Sequence, residues 1–179
     1  MLTMSPSPET RTLGPDNATL TVRTTRGGAA AKAAHDLVIE VTSWRATLEL
    51  GAESKVSLTA DPRSMRVREG SGGMMALGDD DKANIEQTID DEVLKGTTIA
   101  FESDSVRADG DRLEVSGDLE LAGRHAPVVF ELWLSDGRIT GATTVRQTDW
   151  GIKPYSALFG TLKVLDEVQV GIDGSLNGG

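Results

Sequence analysis

Residues Thr144-Val-Arg-Gln-Thr-Asp149-Trp150-Gly151-Ile152 lie between two segments in which apolar and polar residues alternate. Alternation with a period of two is typical of a β-strand that buries one face. The residues on the apolar parity are Ile139, Gly141, Thr143 and Val145 up to the start of this stretch, and Val168, Val170, Ile172, Gly174 and Leu176 after it. The sequence therefore predicts two strands on either side of an aspartate–tryptophan–glycine turn.

Upstream of this turn, short links separate further alternating segments. Leu113–Leu121 and Val128–Leu134 alternate, and the links around them are 108–111, 122–126 and 135–137. Two of these links contain Asp-Gly, which between alternating segments is a strong hairpin signal. The sequence predicts an all-β, antiparallel up-and-down barrel of about eight strands, because closing such a meander removes its exposed edges.

The first half of the chain contains a change of phase. Leu37, Ile39 and Val41 share one parity, whereas Ala46 and Leu48 share the other. A strand with period-two side chains can change parity only through a bulge or a break. We therefore expect a corner between Val41 and Ala46, of the kind by which barrels bend their strands.

One short helix is predicted at about residues 80–95. Ile85, Ile89 and Val93 recur every four residues and form a narrow apolar stripe. Asp79–Asp81 stand at its start, where the helix dipole favours anions, and Gly96 is the expected C-cap. A single helix among many strands is expected to be a lid or a brace on the barrel.

Charge and composition exclude several functions. The formal net charge is −10, so nucleic acid is not an expected partner. The chain has two histidines and no cysteine, so we predict no metal site and no cofactor. No segment approaches the roughly 20 apolar residues of a membrane helix, so stable membrane insertion is not expected. No secretory signal is visible, which favours the cytoplasm, although an exported form with a trimmed signal stays open.

Four segments together resemble the YceI-like, polyisoprenoid-binding family. They are His35-Asp36-Leu37, Thr98-Ile-Ala-Phe101-Glu-Ser103, the hairpin Val115–Val128, and Thr148-Asp-Trp-Gly-Ile152 followed by Asp166-Glu-Val168. The resemblance implies a lipocalin-like barrel over residues 18–177, and residues 1–17, with three prolines, are predicted to be a flexible lead. In that family an arginine commonly stands two residues before the aspartate, where this chain has Gln147, with Arg146 displaced by one.

The resemblance implies that the barrel interior holds an isoprenoid-like lipid, such as a quinone or a polyprenyl chain. The expected lining residues are Phe101, Leu119, Phe130 and Leu132, the residues expected near the mouth are Trp150, Tyr155 and Phe159, and Arg146 or His35 is expected at the head group. Each buried CH₂ group would contribute roughly 0.8 kcal/mol. The in-phase glycines Gly117, Gly141 and Gly174 either leave volume inside the barrel or mark bends of a packed core.

Two other functions compete with lipid carriage, storage or sequestration. The first is a stress-related interaction protein with a filled barrel that acts through the apolar 150–162 loop, which could also form a homodimer contact. The second is an esterase, since His35, His125, Ser103, Ser156 and Asp149 supply the residue types of a catalytic triad. The chain lacks a Gly-x-Ser-x-Gly motif, so the prediction is that it is not an enzyme.

Overall fold

A computed structural model describes residues 9–28, 36–71, 77–157 and 162–176. Within these residues, eleven strands form one antiparallel sheet in the order β1-β5-β6-β8-β9-β10-β11-β14-β2-β4-β7. The strands of this sheet are β1 Glu9–Leu13, β2 Ala18–Thr24, β4 Asp36–Val41, β5 Trp44–Leu50, β6 Lys55–Ala60, β7 Met65–Ser71, β8 Ile99–Asp109, β9 Arg112–Leu121, β10 Arg124–Ser135, β11 Arg138–Arg146 and β14 Glu167–Ser175. The short strands β3 Arg26–Gly27, β12 Ser156–Ala157 and β13 Leu162–Val164 form a second sheet.

The sheet curls into a barrel because its strands bend at a common corner. β4 passes into β5 across residues 42–43, and β6 passes into β7 across a 3₁₀ turn at Pro62–Ser64. β1 and β2 run along one bent strand made of β4 and β5, because β1 pairs with β5 and β2 pairs with β4. Counted as bent strands, the eleven segments make eight, which confirms the predicted antiparallel up-and-down barrel.

The corner is held by polar groups that form hydrogen bonds with one another. The Ser64 hydroxyl donates to the carbonyls of Ser43 and Asp61, at 3.2 and 2.8 Å. The Thr42 hydroxyl donates to the Ser64 carbonyl at 2.6 Å. The predicted change of phase falls here: Val41 and Trp44 are both buried, and the two residues between them absorb the change of parity.

β1 corrects the expectation of a flexible lead for residues 9–17, whereas residues 1–8 lie outside the described residues. Residues 9–13 pair in register with β5, from Glu9 opposite Leu50 to Leu13 opposite Ala46. Leu13 is 1% exposed and belongs to the main core. The alternation in this strand is short and follows proline-rich sequence, so periodicity alone gave little signal.

The predicted helix is present as two consecutive helical segments. α1 spans Asp79–Thr88 and is followed by a π-helical segment at Ile89–Leu94. The main chain then turns left-handed at Lys95, with φ 55°, and again at Gly96, with φ 66°, so the left-handed conformation begins one residue before the expected glycine. Left-handed conformation in two successive residues ends the helix.

The helical segments cover the open edge of β7. The Val67 N–H on this strand donates to Glu86 Oε2 at 2.9 Å. Ile85 and Ile89 pack on the buried cluster of Leu37, Ile39 and Val67. Further along, Val93 packs on the cluster that contains Trp150. The helical segments therefore span a gap in the barrel wall beside the edge strand β7, and they correspond to the predicted brace.

Candidate functional site

The barrel encloses an apolar cavity of about 570 Å³. Its walls are built from inward-facing residues of all eleven strands of the large sheet, together with the helix stripe Ile85, Ile89 and Val93. This volume lies within the usual range for small-molecule sites, about 300–1,000 Å³. A cavity lined by apolar groups stays dry and can accept an apolar guest.

One end of the cavity is closed by the packed core. Leu13, Leu48 and Ile139 line it and are each at most 1% exposed. The rings of Phe101 and Phe130 also line it, with centroids 5.2 Å apart and planes tilted by 58°. Because aromatic pairs of this geometry attract each other, these two rings form a fixed wall.

The other end reaches the protein surface. Asn84 on α1 and Tyr155 both line the cavity and are exposed, Tyr155 by 48%. The Val164 N–H donates to the Tyr155 carbonyl at 3.0 Å, which holds this segment beside β13. The mouth therefore lies between α1 and the segment that follows the Trp150 turn.

The four residues predicted to line the interior all do so. Phe101, Leu119, Phe130 and Leu132 contribute to the cavity wall. They lie on three neighbouring strands, with Phe101 opposite Leu119 and Phe130 opposite Val115. Alternation placed their side chains inward, as the sequence pattern predicted.

Trp150 has a different position from the one expected at the mouth. It is 2% exposed and packs in a cluster with Val145, Ile152 and Val168, behind the cavity wall. Its indole N–H donates to the Leu119 carbonyl at 2.7 Å. A buried indole needs such a partner, so Trp150 anchors the turn to β9 and does not face the cavity.

Arg146 also differs from its expected role at a head group. It is exposed, lies outside the cavity wall, and pairs with Glu167 on the outer face at 3.3 Å. The physical reason is strand parity: Val145 points into the barrel, so its neighbour points out. Gln147, on the same parity as Val145, is the buried residue that lines the cavity.

Of the remaining predicted residues, Tyr155 lines the cavity mouth, whereas His35 and Phe159 lie outside the described residues. Many lining residues were not among the predicted site residues, and they include Thr24, Leu37, Gln147, Ile152 and Val164. The sequence contains a signal for Thr24, because this residue continues the inward-facing alternation of Leu20 and Val22. The signal for Gln147 is that it shares the inward-facing parity of Val145.

The in-phase glycines have two different roles. Gly141 lines the cavity, and a methyl group there would approach Leu132 within 2.7 Å. A methyl group at Gly117 would meet the Glu102 carbonyl at 2.2 Å, and one at Gly174 would meet Ala18 at 2.4 Å. Gly117 and Gly174 therefore allow close strand packing, and of the three only Gly141 borders the empty volume.

The Asp149–Trp150–Gly151 turn is fixed to the start of β14. Asp166 accepts from the Thr148 N–H at 2.8 Å and from the Thr148 hydroxyl at 2.6 Å. The hydroxyl bond, the main-chain bond and the nearby Arg146 charge together hold the pKa of Asp166 below its usual value. Gly151 adopts a φ of 69° against the Arg124 guanidinium, a conformation that favours glycine.

The described charged groups stay outside the cavity. No aspartate, glutamate, lysine, arginine or histidine lines the cavity among the described residues. His125 is exposed and lies between Asp118 and Glu120, at 2.6 and 2.8 Å. The hydrogen bond to Asp118 raises the pKa of His125, and the charges of Asp118 and Glu120 add to this rise.

The residue types of the esterase hypothesis are not brought together in the described part of the chain. Ser103 accepts the Val56 N–H at 2.9 Å and so holds β6 against β8. His125 belongs to the outer face of β10 and Asp149 is exposed in its turn. Across residues 9–28, 36–71, 77–157 and 162–176, no group of three histidine, cysteine or acidic side chains could hold a metal ion.

No helix in the described ranges combines the length and the apolar character needed to cross a membrane.

The comparisons with known proteins agree with this architecture. A model of the YceI-like domain family matches residues 15–176. The chain is similar to Burkholderia cenocepacia BcnA, with 15% identity, a TM-score of 0.61, and coverage of 87% of this chain and 94% of that one. It is also similar to a Campylobacter jejuni YCEI protein, with 12% identity, a TM-score of 0.53, and coverage of 76% and 83%. At these identities the likeness concerns the fold. None of the curated proteins matches significantly.

Proposed function

The chain belongs to the YceI-like domain family, and we propose that it is a binding protein for a long apolar lipid of isoprenoid type, such as a quinone or a polyprenyl chain. The observation that carries this proposal is the apolar cavity of about 570 Å³ inside the barrel. The lipid tail would lie against Phe101, Phe130 and the helix stripe. Bound in this way, the lipid could be carried, stored or sequestered.

Chain length would supply the affinity. Each methylene that leaves water for an apolar site contributes roughly 0.8 kcal/mol, so two of them change the dissociation constant by about tenfold. The lining offers few polar partners, so a binding role is favoured over a catalytic one. The interaction-protein alternative required a filled barrel, and the size of the cavity counts against it.

The proposal is tested by filling the cavity. Val128→Phe places a ring in the interior, because Val128 lines the cavity. Val129→Phe is the matched control, because Val129 is the next residue on β10, faces outward and is 60% exposed. Both variants would be titrated with a long-chain quinone while tryptophan fluorescence is followed.

We expect Val128→Phe to weaken quinone binding by about tenfold, since the ring displaces the equivalent of two methylenes. Val129→Phe should bind as the unmodified protein does. Equal binding by all three proteins, or no quinone binding by the unmodified protein, would contradict the proposal. The cytoplasmic location and the homodimer stay predictions, which cell fractionation and sedimentation would check.

A further inference from the structure

We propose that the Thr24 hydroxyl recognises an uncharged oxygen of the bound lipid, so that the cavity selects neutral isoprenoid alcohols or quinones over prenyl phosphates. This inference rests on the proposed lipid-binding function. It adds a residue and a chemical class of head group, and both are derived from the polar groups of the cavity mouth.

Thr24 is a buried hydroxyl without a partner. It lines the cavity at the last position of β2, and its Oγ1 atom is buried and makes no hydrogen bond within the described part of the protein. Polar groups buried in proteins are nearly always hydrogen-bonded, and an exception needs an explanation. Because Thr24 lines the cavity, rotation about its Cα–Cβ bond would turn this buried hydroxyl toward the cavity, where a ligand oxygen would supply the missing partner.

The position of Thr24 is at the mouth, where a head group would lie. Thr24 pairs with Leu37 at the outer end of the barrel. The carbonyl of the next residue, Thr25, accepts from the Leu165 N–H at 2.8 Å, and the Leu165 carbonyl accepts from Gln147 Nε2 at 3.1 Å. Leu165 thus links Gln147, which also lines the cavity, to the end of β2 on which Thr24 lies.

Among the residues that the structure describes, the mouth offers hydrogen bonds but no positive charge. The polar residues of the lining are Thr24, Asn84, Thr88, Thr143, Gln147 and Tyr155, and the described lining contains no lysine, arginine or histidine. Arg146 points outward and pairs with Glu167. An anion that enters an apolar site without a paired cation loses its hydration without compensation, and the net charge of −10 adds repulsion.

The lipid test compares three probes that share one isoprenoid chain: geranylgeraniol, geranylgeranyl phosphate, and the corresponding hydrocarbon without oxygen. They would be titrated into the unmodified protein, Thr24→Val and Thr24→Ser. Thr24→Val keeps the side-chain shape and removes the hydroxyl, whereas Thr24→Ser keeps the hydroxyl. Competition against a bound fluorescent lipid reports the affinity of all three probes.

We expect the unmodified protein to bind the alcohol at least tenfold more tightly than the phosphate. Thr24→Val should bind the alcohol about fivefold more weakly, as loss of one hydrogen bond implies, and should bind the hydrocarbon unchanged. Thr24→Ser should keep most of the preference for the alcohol. In the lipid-free protein, Thr24→Val should raise the melting temperature, because it removes an unpaired buried hydroxyl.

Equal affinity for alcohol and phosphate, or unchanged alcohol binding by Thr24→Val, would overturn the inference. If the hydrocarbon still binds in that case, the proposed lipid-binding function stands and only the role of Thr24 fails. If none of the three probes binds, the proposed function fails and this inference fails with it. A melting temperature that falls on substitution by valine would show that the hydroxyl has a partner within the protein, which also overturns it.

Discussion

The indole nitrogen of Trp150 donates a 2.7 Å hydrogen bond to the main-chain carbonyl of Leu119. Leu119 lines the cavity, whereas Trp150 lies behind the wall and is 2% exposed. The bond therefore connects the aspartate–tryptophan–glycine turn to the strand that forms part of the cavity wall. The turn supports the cavity wall from outside.

Replacing Trp150 by Phe should destabilise the protein. The change keeps a ring in the buried cluster but leaves the Leu119 carbonyl without its indole donor, at a cost of about 1–2 kcal/mol. Urea denaturation followed by circular dichroism measures this free energy of unfolding. The control is Trp133→Phe, since Trp133 is 49% exposed and should tolerate the change. Equal stability of the two variants would contradict the anchoring role.

Glu86→Ala should loosen the helix that covers the gap in the barrel wall. Glu86 accepts the Val67 N–H on the open edge of β7, and loss of this bond weakens helix docking by about 1 kcal/mol. Amide hydrogen exchange should rise across α1 and the following π-helical segment, and bound quinone should dissociate about fivefold faster. Exchange and release at the unmodified rates would show that the bond does not hold the helix.

Glu92→Ala is the matched control for this experiment. It removes the same side chain from the same helical region, but Glu92 is exposed. The change in net charge is identical in the two variants, and each replaces a glutamate of the helical region by alanine. Faster release in Glu92→Ala as well would therefore point to charge, and not to the contact with β7, as the cause.

His125 should titrate above its usual pKa in the folded protein. Its hydrogen bond to Asp118 favours the protonated ring, so Asp118→Asn should lower the pKa when it is followed by NMR. Because the folded pKa is raised, the stabilisation is fully present below the unfolded pKa and is lost as the pH rises through the folded pKa. Asp104→Asn is the control, since Asp104 bonds to Ser116 and not to His125. A pKa unchanged by Asp118→Asn would contradict this assignment.

Most of the fold could be predicted because its signals are local. Alternation placed Phe101, Leu119, Phe130 and Leu132 on the inner face, and the Asp-Gly links marked the hairpins. The change of phase after Val41 located the corner. Each of these signals depends on a few neighbouring residues, so one sequence is enough to read them.

The site was predicted less completely because its details depend on tertiary contacts. Whether Trp150 faces the cavity or stands behind it depends on a hydrogen bond to a strand 31 residues earlier. The parity of Val145 predicts the outward position of Arg146, whereas the expectation of a head-group contact came from the family pattern and the charge of Arg146. The missing partner of Thr24 is visible only when the whole barrel interior is known.

Native mass spectrometry of the protein purified from its own host, followed by solvent extraction of any bound molecule, tests the lipid-binding role most directly. We predict that the protein retains a long-chain isoprenoid with an uncharged head group, and that Val128→Phe retains much less of it than Val129→Phe. A protein that carries no lipid and takes up no added quinone would contradict the proposal.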